Sequence, residues 1–145
     1  MATLSGDAFD LSQSGYRPSA NEEFMNPEQL AYFRSKLLMW KDEILKESRE
    51  TMAELANGPI QEADLTDRAS SETDWGIHLR TRDRQRKLIA KIDAAMRRIE
   101  NGEYGFCEVT GEPISLARLE ARPIATMTVE AQERHEKNER ISRDD

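Results

Sequence analysis

Cysteine is almost missing from this chain. The one it has, Cys107, excludes an intramolecular disulfide and leaves no cysteine cluster for structural zinc. Long apolar runs are missing too. No stretch of ~18 residues is apolar enough to cross a membrane, and the first ten residues lack the basic start and apolar middle of a signal peptide. Aromatics make up 6% of the chain and apolar residues 37%, against 34% charged, so there is little material for a wide core. Basic residues are in deficit: 21 Lys and Arg against 28 Asp and Glu leave a net charge of −7, which argues against nucleic-acid binding by general phosphate neutralisation. No nucleophile–base pair, glycine-rich phosphate loop or Cys/His constellation is readable, and His78 and His135 are too few and too scattered for a metal. Together these absences imply a soluble protein of a reducing compartment. Its helices should bury narrow seams and leave the rest to water.

What is present is helical periodicity. Asn26 suits an N-cap, Pro27 the first helical position, and Gln29 completes a capping-box-like spacing, with Met25 and Leu30 placed as a hydrophobic staple. Leu30, Phe33, Leu37, Trp40 and Ile44 then recur at 3-4-3-4 spacing, and Met52 and Leu55 extend the seam towards the stop signal Asn57-Gly58-Pro59. A second helix reads from about Ser70 or Ser71 to Asn101, with Trp75, Leu79, Ile89, Ile92, Met96 and Ile99 on its buried side. Arg82 and Gln85 fall on seam-like positions in its middle, so the pairing should be more polar towards the connecting turn. The fold class is therefore mainly α: a long antiparallel helical hairpin of the coiled-coil type followed by a small C-terminal lobe. Residues 1–25 read as a flexible segment that can dock through Tyr16, Pro18 and Phe24, residues 26–102 as the hairpin with its tip at 59–70, and residues 103–145 as the lobe with a final helix. Within the lobe, 106–114 should turn at Thr110-Gly111, Ser115 should cap a helix from Leu116 to Arg122, and Thr128 should cap the last one through about Ile141.

The tip carries two acids three residues apart, Asp64 and Asp67, beside Ala69 and Ser70. Acids before a helix start stabilise its N-terminus, and that is a sufficient reason for them; the alternative is that they are the working groups of a probe. Arg80, Arg84, Lys87 and Lys91 share one helix face. They are either a solvated face paired with Glu43, Glu47 and Glu50 or a docking surface for an acidic partner. Cys107 reads as a partly buried lobe residue or as a redox-sensitive thiol.

Two passages resemble a known family. Asp64-Leu65-Thr66-Asp67-Arg68-Ala69 has the form D-x-x-D-x-A, and the run from Leu79 to Ile89 follows at the family's distance. Tyr104-Gly105-Phe106-Cys107-Glu108 and Arg118-Leu119-Glu120-Ala121-Arg122-Pro123 are similar to the opening and middle of its zinc-finger module. The chain thus resembles, from about Tyr16 to Arg140, the DksA/TraR family of bacterial RNA polymerase-binding transcription regulators. That resemblance implies a coiled coil entering the polymerase secondary channel with Asp64, Asp67 and Ala69 at its tip, and polymerase docking through Arg80, Arg84 and Lys87. It implies transcription regulation in the stringent response with guanosine tetraphosphate (ppGpp) as co-regulator, no sequence-specific DNA binding of its own, no membrane, and a monomer. The family's nucleotide-contact positions fall on Leu88, Lys91 and Arg122, while a fourth, usually lysine, is Gln132. Its four zinc-ligand positions fall on Cys107, Thr110, Thr128 and Ala131, so the finger is degenerate: zinc is not expected, no cofactor is required, and apolar contacts through Phe106, Val109, Ile114, Leu116, Leu119, Ile124 and Val129 must hold the lobe. Rival readings are a Gre-like transcript-cleavage factor and a helical-hairpin chaperone or adaptor.

Overall fold

The computed structural model describes residues 15–56 and 65–144, without the side chains of 55, 65–71, 143 and 144. Its described residues form four helices: α1 (Pro27–Ala56), α2 (Leu65–Asn101), α3 (Leu116–Ala121) and α4 (Val129–Asp144). No strand occurs among them; the nearest approach is one isolated antiparallel bridge between Phe106 and Pro113. The stop signal at 57–59 and the acid Asp64 lie outside the described residues. The chain divides into two compact units, Met1–Leu37 with Ala94–Asp145 and, separately, Leu38–Asp93, so α1 and α2 each supply residues to both.

Local chemistry accounts for the helix starts. Asn26 Oδ1 accepts the Gln29 N–H at 2.9 Å while Gln29 Oε1 accepts the Met25 N–H at 2.8 Å, a reciprocal cap shifted one residue outward from the usual box. Ser115 Oγ accepts the Arg118 N–H at 3.1 Å and Thr128 Oγ1 the Ala131 N–H at 3.2 Å, capping α3 and α4 as the sequence predicts. One start differs. α2 begins at Leu65, some five residues before the expected Ser70 or Ser71, which places Asp67 and Ala69 inside the helix instead of in the connection.

The first unit holds most of the buried apolar side chains. Tyr32, Phe33 and Leu37 from α1 and Ala95 from α2 are buried in it, as are Tyr104, Cys107, Ile114, Leu119, Ala125 and Ala131 of the lobe. Aromatic edges run through it: Tyr16 on Tyr32 at 5.9 Å, Tyr32 on Phe33 at 5.2 Å, and Phe24 on Phe106 at 5.4 Å. Tyr104 is 2% exposed, and its hydroxyl donates to the Pro123 carbonyl at 2.7 Å, so a buried polar tip is satisfied. The Tyr104-Gly105 pair is fixed by space as well. Gly105 has φ +93°, and a Cβ there would stand 2.9 Å from Met25 Cγ.

Gln29 is fully buried and ties the segment before α1 to the helix itself. Its Nε2 donates to Glu22 Oε1 at 3.0 Å, and the same carboxylate oxygen accepts the Tyr16 hydroxyl at 2.8 Å and the Ser19 N–H at 3.1 Å. These bonds, Gln29 first, then Tyr16 and Ser19, hold the Glu22 carboxyl below its ordinary range. A carboxylate depressed on folding adds stability that is fully present above its unfolded pKa and is lost as pH falls through its lower folded one. Thermal melts below about pH 4.3 should therefore fall more steeply in the wild-type chain than in Glu22→Gln. Equal acid limbs in the two proteins would remove Glu22 from that role.

The second unit is an antiparallel helix pair. Lys41 Nζ meets Asp93 Oδ1 at 2.7 Å, and further along Ser48 of α1 shares a cleft with residues 79 to 89 of α2. Ile44 and Ile92, at 5% and 0% exposure, are the buried apolar side chains among its described residues.

Candidate functional site

Asp67 and Ala69 occupy the opening turns of α2, directly after the span containing Asp64. The aligned peptide dipoles of a 37-residue helix leave its N-terminus partially positive, so acids there serve the helix whatever else they do.

The basic stripe sits further along α2 in the second unit. Arg80, Arg84, Lys87 and Lys91 are exposed. Lys87 pairs with Asp83 of its own helix at 3.1 Å, Arg86 pairs with the same carboxylate at 2.8 Å, and Arg84 Nη2 donates to Thr81 Oγ1 at 3.4 Å. Lys87 first and Arg86 next hold the Asp83 carboxyl below its ordinary range. Among the described residues no ion pair joins Arg80, Arg84 or Lys87 to Glu43, Glu47 or Glu50 of α1. Leu88 and Lys91 lie in the second unit, half-buried and exposed respectively. Arg122 lies in the first, where it ends α3 through its backbone N–H to the Arg118 carbonyl. Gln132 Nε2 donates to Glu136 at 2.9 Å.

In the lobe, the turn around Cys107 is closed by the Cys107 N–H to Glu112 carbonyl bond and the Gly111 N–H to Cys107 carbonyl bond, each 2.8 Å. Cys107 is 3% exposed. Burial alone would raise its thiol pKa. Hydrogen bonds from the Thr110 side chain and from the backbone N–H groups of Thr110, Thr128 and Val109 outweigh it and bring the pKa down to about 6. The other three positions have no capacity for zinc. Thr110 Oγ1 accepts the Glu112 N–H, Thr128 Oγ1 caps α4, and Ala131 is buried with no side-chain atom that could ligate a metal. No group of three or more His, Cys, Asp or Glu that could hold a metal ion occurs among the described residues. The donor set does not fit zinc. Thiolate absorbance should titrate near the value above in the wild type and at higher pH in Thr110→Val; an unchanged midpoint would mean that Thr110 does not set it.

Two expected lobe contacts are absent. Val109 is 62% and Val129 46% exposed, whereas Ile114 and Leu119 are fully buried. Val109 stands in the tight turn, where its backbone N–H serves Cys107 and its side chain is turned outward. Val129 is the first residue of α4, whose buried contact is Ala131 two positions on. The sequence reading passed over Tyr32. Its hydroxyl donates to both carboxylate oxygens of Glu120, and Lys36 Nζ reaches the same carboxylate at 3.2 Å. Burial first, then Glu120, pushes the Tyr32 pKa up to about 12.

The described residues thus give an antiparallel helix pair whose second helix carries Asp67 in its opening turns, and a lobe in which only Cys107 of four finger-like positions keeps a metal-ligand side chain. The comparisons say what class of protein this is. The family model described as DnaK suppressor protein DksA, N-terminal domain, matches residues 29–99, and that of the prokaryotic dksA/traR C4-type zinc finger matches residues 102–137. The RNA polymerase-binding transcription factor DksA of Caulobacter vibrioides (strain NA1000 / CB15N) is 67% identical over 135 residues, which cover 93% of this chain and 95% of that protein. Its Escherichia coli (strain K12) namesake is 37% identical over 115 residues, 79% of this chain and 76% of that protein. The solved structure of transcription factor DksA2 from Pseudomonas aeruginosa matches with a TM-score of 0.75 at 42% identity, covering 86% of this chain and 94% of that one. This chain belongs to the DksA family.

Proposed function

We propose that the chain is a non-enzymatic transcription regulator that binds bacterial RNA polymerase through its secondary channel and brings Asp64, Asp67 and Ala69 close to the active centre. Family membership across nearly the whole chain, with relatives named for polymerase binding, is the observation that carries this reading. A carboxylate beside a catalytic metal or a mobile active-site element alters the local field without itself making or breaking a bond, because charges act over several ångströms where water is scarce. The exposed Arg80, Arg84 and Lys87 dock on acidic polymerase surface, so association weakens with salt. Residues 26–102 act as the probe, 103–145 as a metal-free lobe, and 1–25 as a flexible lead-in. The regulator works as a cytoplasmic monomer, does not read promoter sequence by itself, and requires no cofactor.

The nucleotide ppGpp acts with it through Leu88, Lys91 and Arg122. Gln132 stands where the family usually has lysine, and a neutral amide holds phosphate less strongly than an ammonium. The response to ppGpp should therefore be weaker than a lysine at position 132 would give. A pull-down with core polymerase tests the partner: the chain should be retained at low salt and released at high salt. Failure to bind would favour the chaperone or adaptor reading. Stimulated RNA cleavage in a backtracked complex would favour the cleavage factor.

A further inference from the structure

We propose that the Ser48–Gln85 level of the second unit is a built-in break in the coiled-coil seam, which lets the end of the helix pair next to residues 57–64 open and move separately from the Lys41–Asp93 end. Three independent observations meet there. The first is a cleft of about 400 Å3 lined by Ser48, Leu79, Arg82, Asp83, Gln85, Arg86 and Ile89, in place of interlocked apolar side chains. The second is Gln85 Oε1, buried with no hydrogen-bond partner among the described residues. A buried acceptor left unpaired favours any motion that admits water to it. The third is a step in burial. At the Lys41–Asp93 end Ile44 and Ile92 are closed off, while on the other side of Gln85 the seam residues Met52, Trp75 and Leu79 are 44%, 50% and 45% exposed.

The register explains the step. Between Leu79 and Ile89 the inward-facing position of α2 is held by Gln85, whose amide oxygen is buried, while Arg82 and Arg86 on the cleft rim are exposed, so an amide stands where the seam needs an apolar side chain. Opposite them α1 presents Ser48. Polar seam layers fix the pairing register but give up apolar burial, and low burial is what sets the free energy of local opening. Asp83 and Arg86 neutralise each other at 2.8 Å within one helix, so the cleft offers no convergent charged set for a small ligand. The inference does not depend on what the chain binds.

Hydrogen exchange of the full-length chain tests it. Amides of 48–56 and 72–84 should exchange about tenfold faster than those of 30–44 and 89–101, with the change falling between Gln85 and Ile92. Gln85→Leu, which replaces the orphan acceptor by an apolar seam residue, should slow exchange in 48–56 and 72–84 several-fold and leave 30–44 and 89–101 unchanged. Uniform protection along both helices of the wild-type chain would overturn the proposal without recourse to a variant. So would Gln85→Leu if it folds, as judged by unchanged protection at 89–101, yet leaves 72–84 exchanging at the wild-type rate.

Discussion

Asp67→Asn should remain bound to RNA polymerase and lose its effect on transcription by about tenfold or more, the scale on which single preorganised charges act at a catalytic centre. The substitution is nearly isosteric. Asparagine keeps a short polar side chain at the start of α2, so the helix loses only the charge–dipole part, about 0.3–1 kcal/mol. On the proposed docking through the exposed Arg80 and Arg84, binding should survive, because the acid is not its only contact. Measuring affinity and transcriptional output on the same preparation separates the two roles. Loss of binding with Asp67→Asn would make the residue an anchor, and unchanged output would leave it a helix-capping acid with no further task.

Leu119→Ala should lower the melting temperature by about 10 °C, whereas exhaustive chelation should not move it. Leu119 is fully buried on α3, and trimming its isobutyl side chain to a methyl costs about 2–5 kcal/mol in lost transfer energy and cavity formation. Together with Ile114 and Tyr104, also buried, it forms the core of a lobe whose turn is closed by the backbone bonds of Cys107 with Glu112 and Gly111. A metal-dependent finger would behave the other way round, since its binding free energy is its folding free energy. A stoichiometric metal retained after dialysis, or a melt that collapses in chelator, would contradict this description of the lobe.

The sequence made the helices legible where the physics is local. Asn26, Ser115 and Thr128 cap where their side chains predict, and the 3-4 spacing of Phe33, Leu37 and Ile44 marks side chains that are indeed buried. It misled where burial depends on what stands opposite. Trp75 continues the apolar spacing of α2 but is half exposed, because the seam beside it has turned polar at Arg82 and Gln85. The start of α2 was missed because Asp64 to Ala69 carries a turn-like mixture of acids and small residues that helix propensity alone does not separate from a loop. The basic stripe was legible as a face, but the pairing of Lys87 with Asp83 instead of a glutamate of α1 was not; an acid four residues away on the same helix needs no second helix to position it. Tyr32 and Glu120 are 88 residues apart, and no local pattern announces such a pair. For the site, the D-x-x-D-x-A form and the finger remnants pointed to the family before any geometry did. Nothing local could have shown that the buried Cys107 thiol has its pKa brought down to about 6.

Run-off transcription from a ribosomal promoter, with purified polymerase and this chain added, with and without ppGpp, tests the central claim most directly. The account predicts a dose-dependent change in transcript yield that Asp67→Asn fails to produce, with ppGpp altering its size. Transcript levels identical with and without the chain, under conditions in which it is bound to the enzyme, would contradict it.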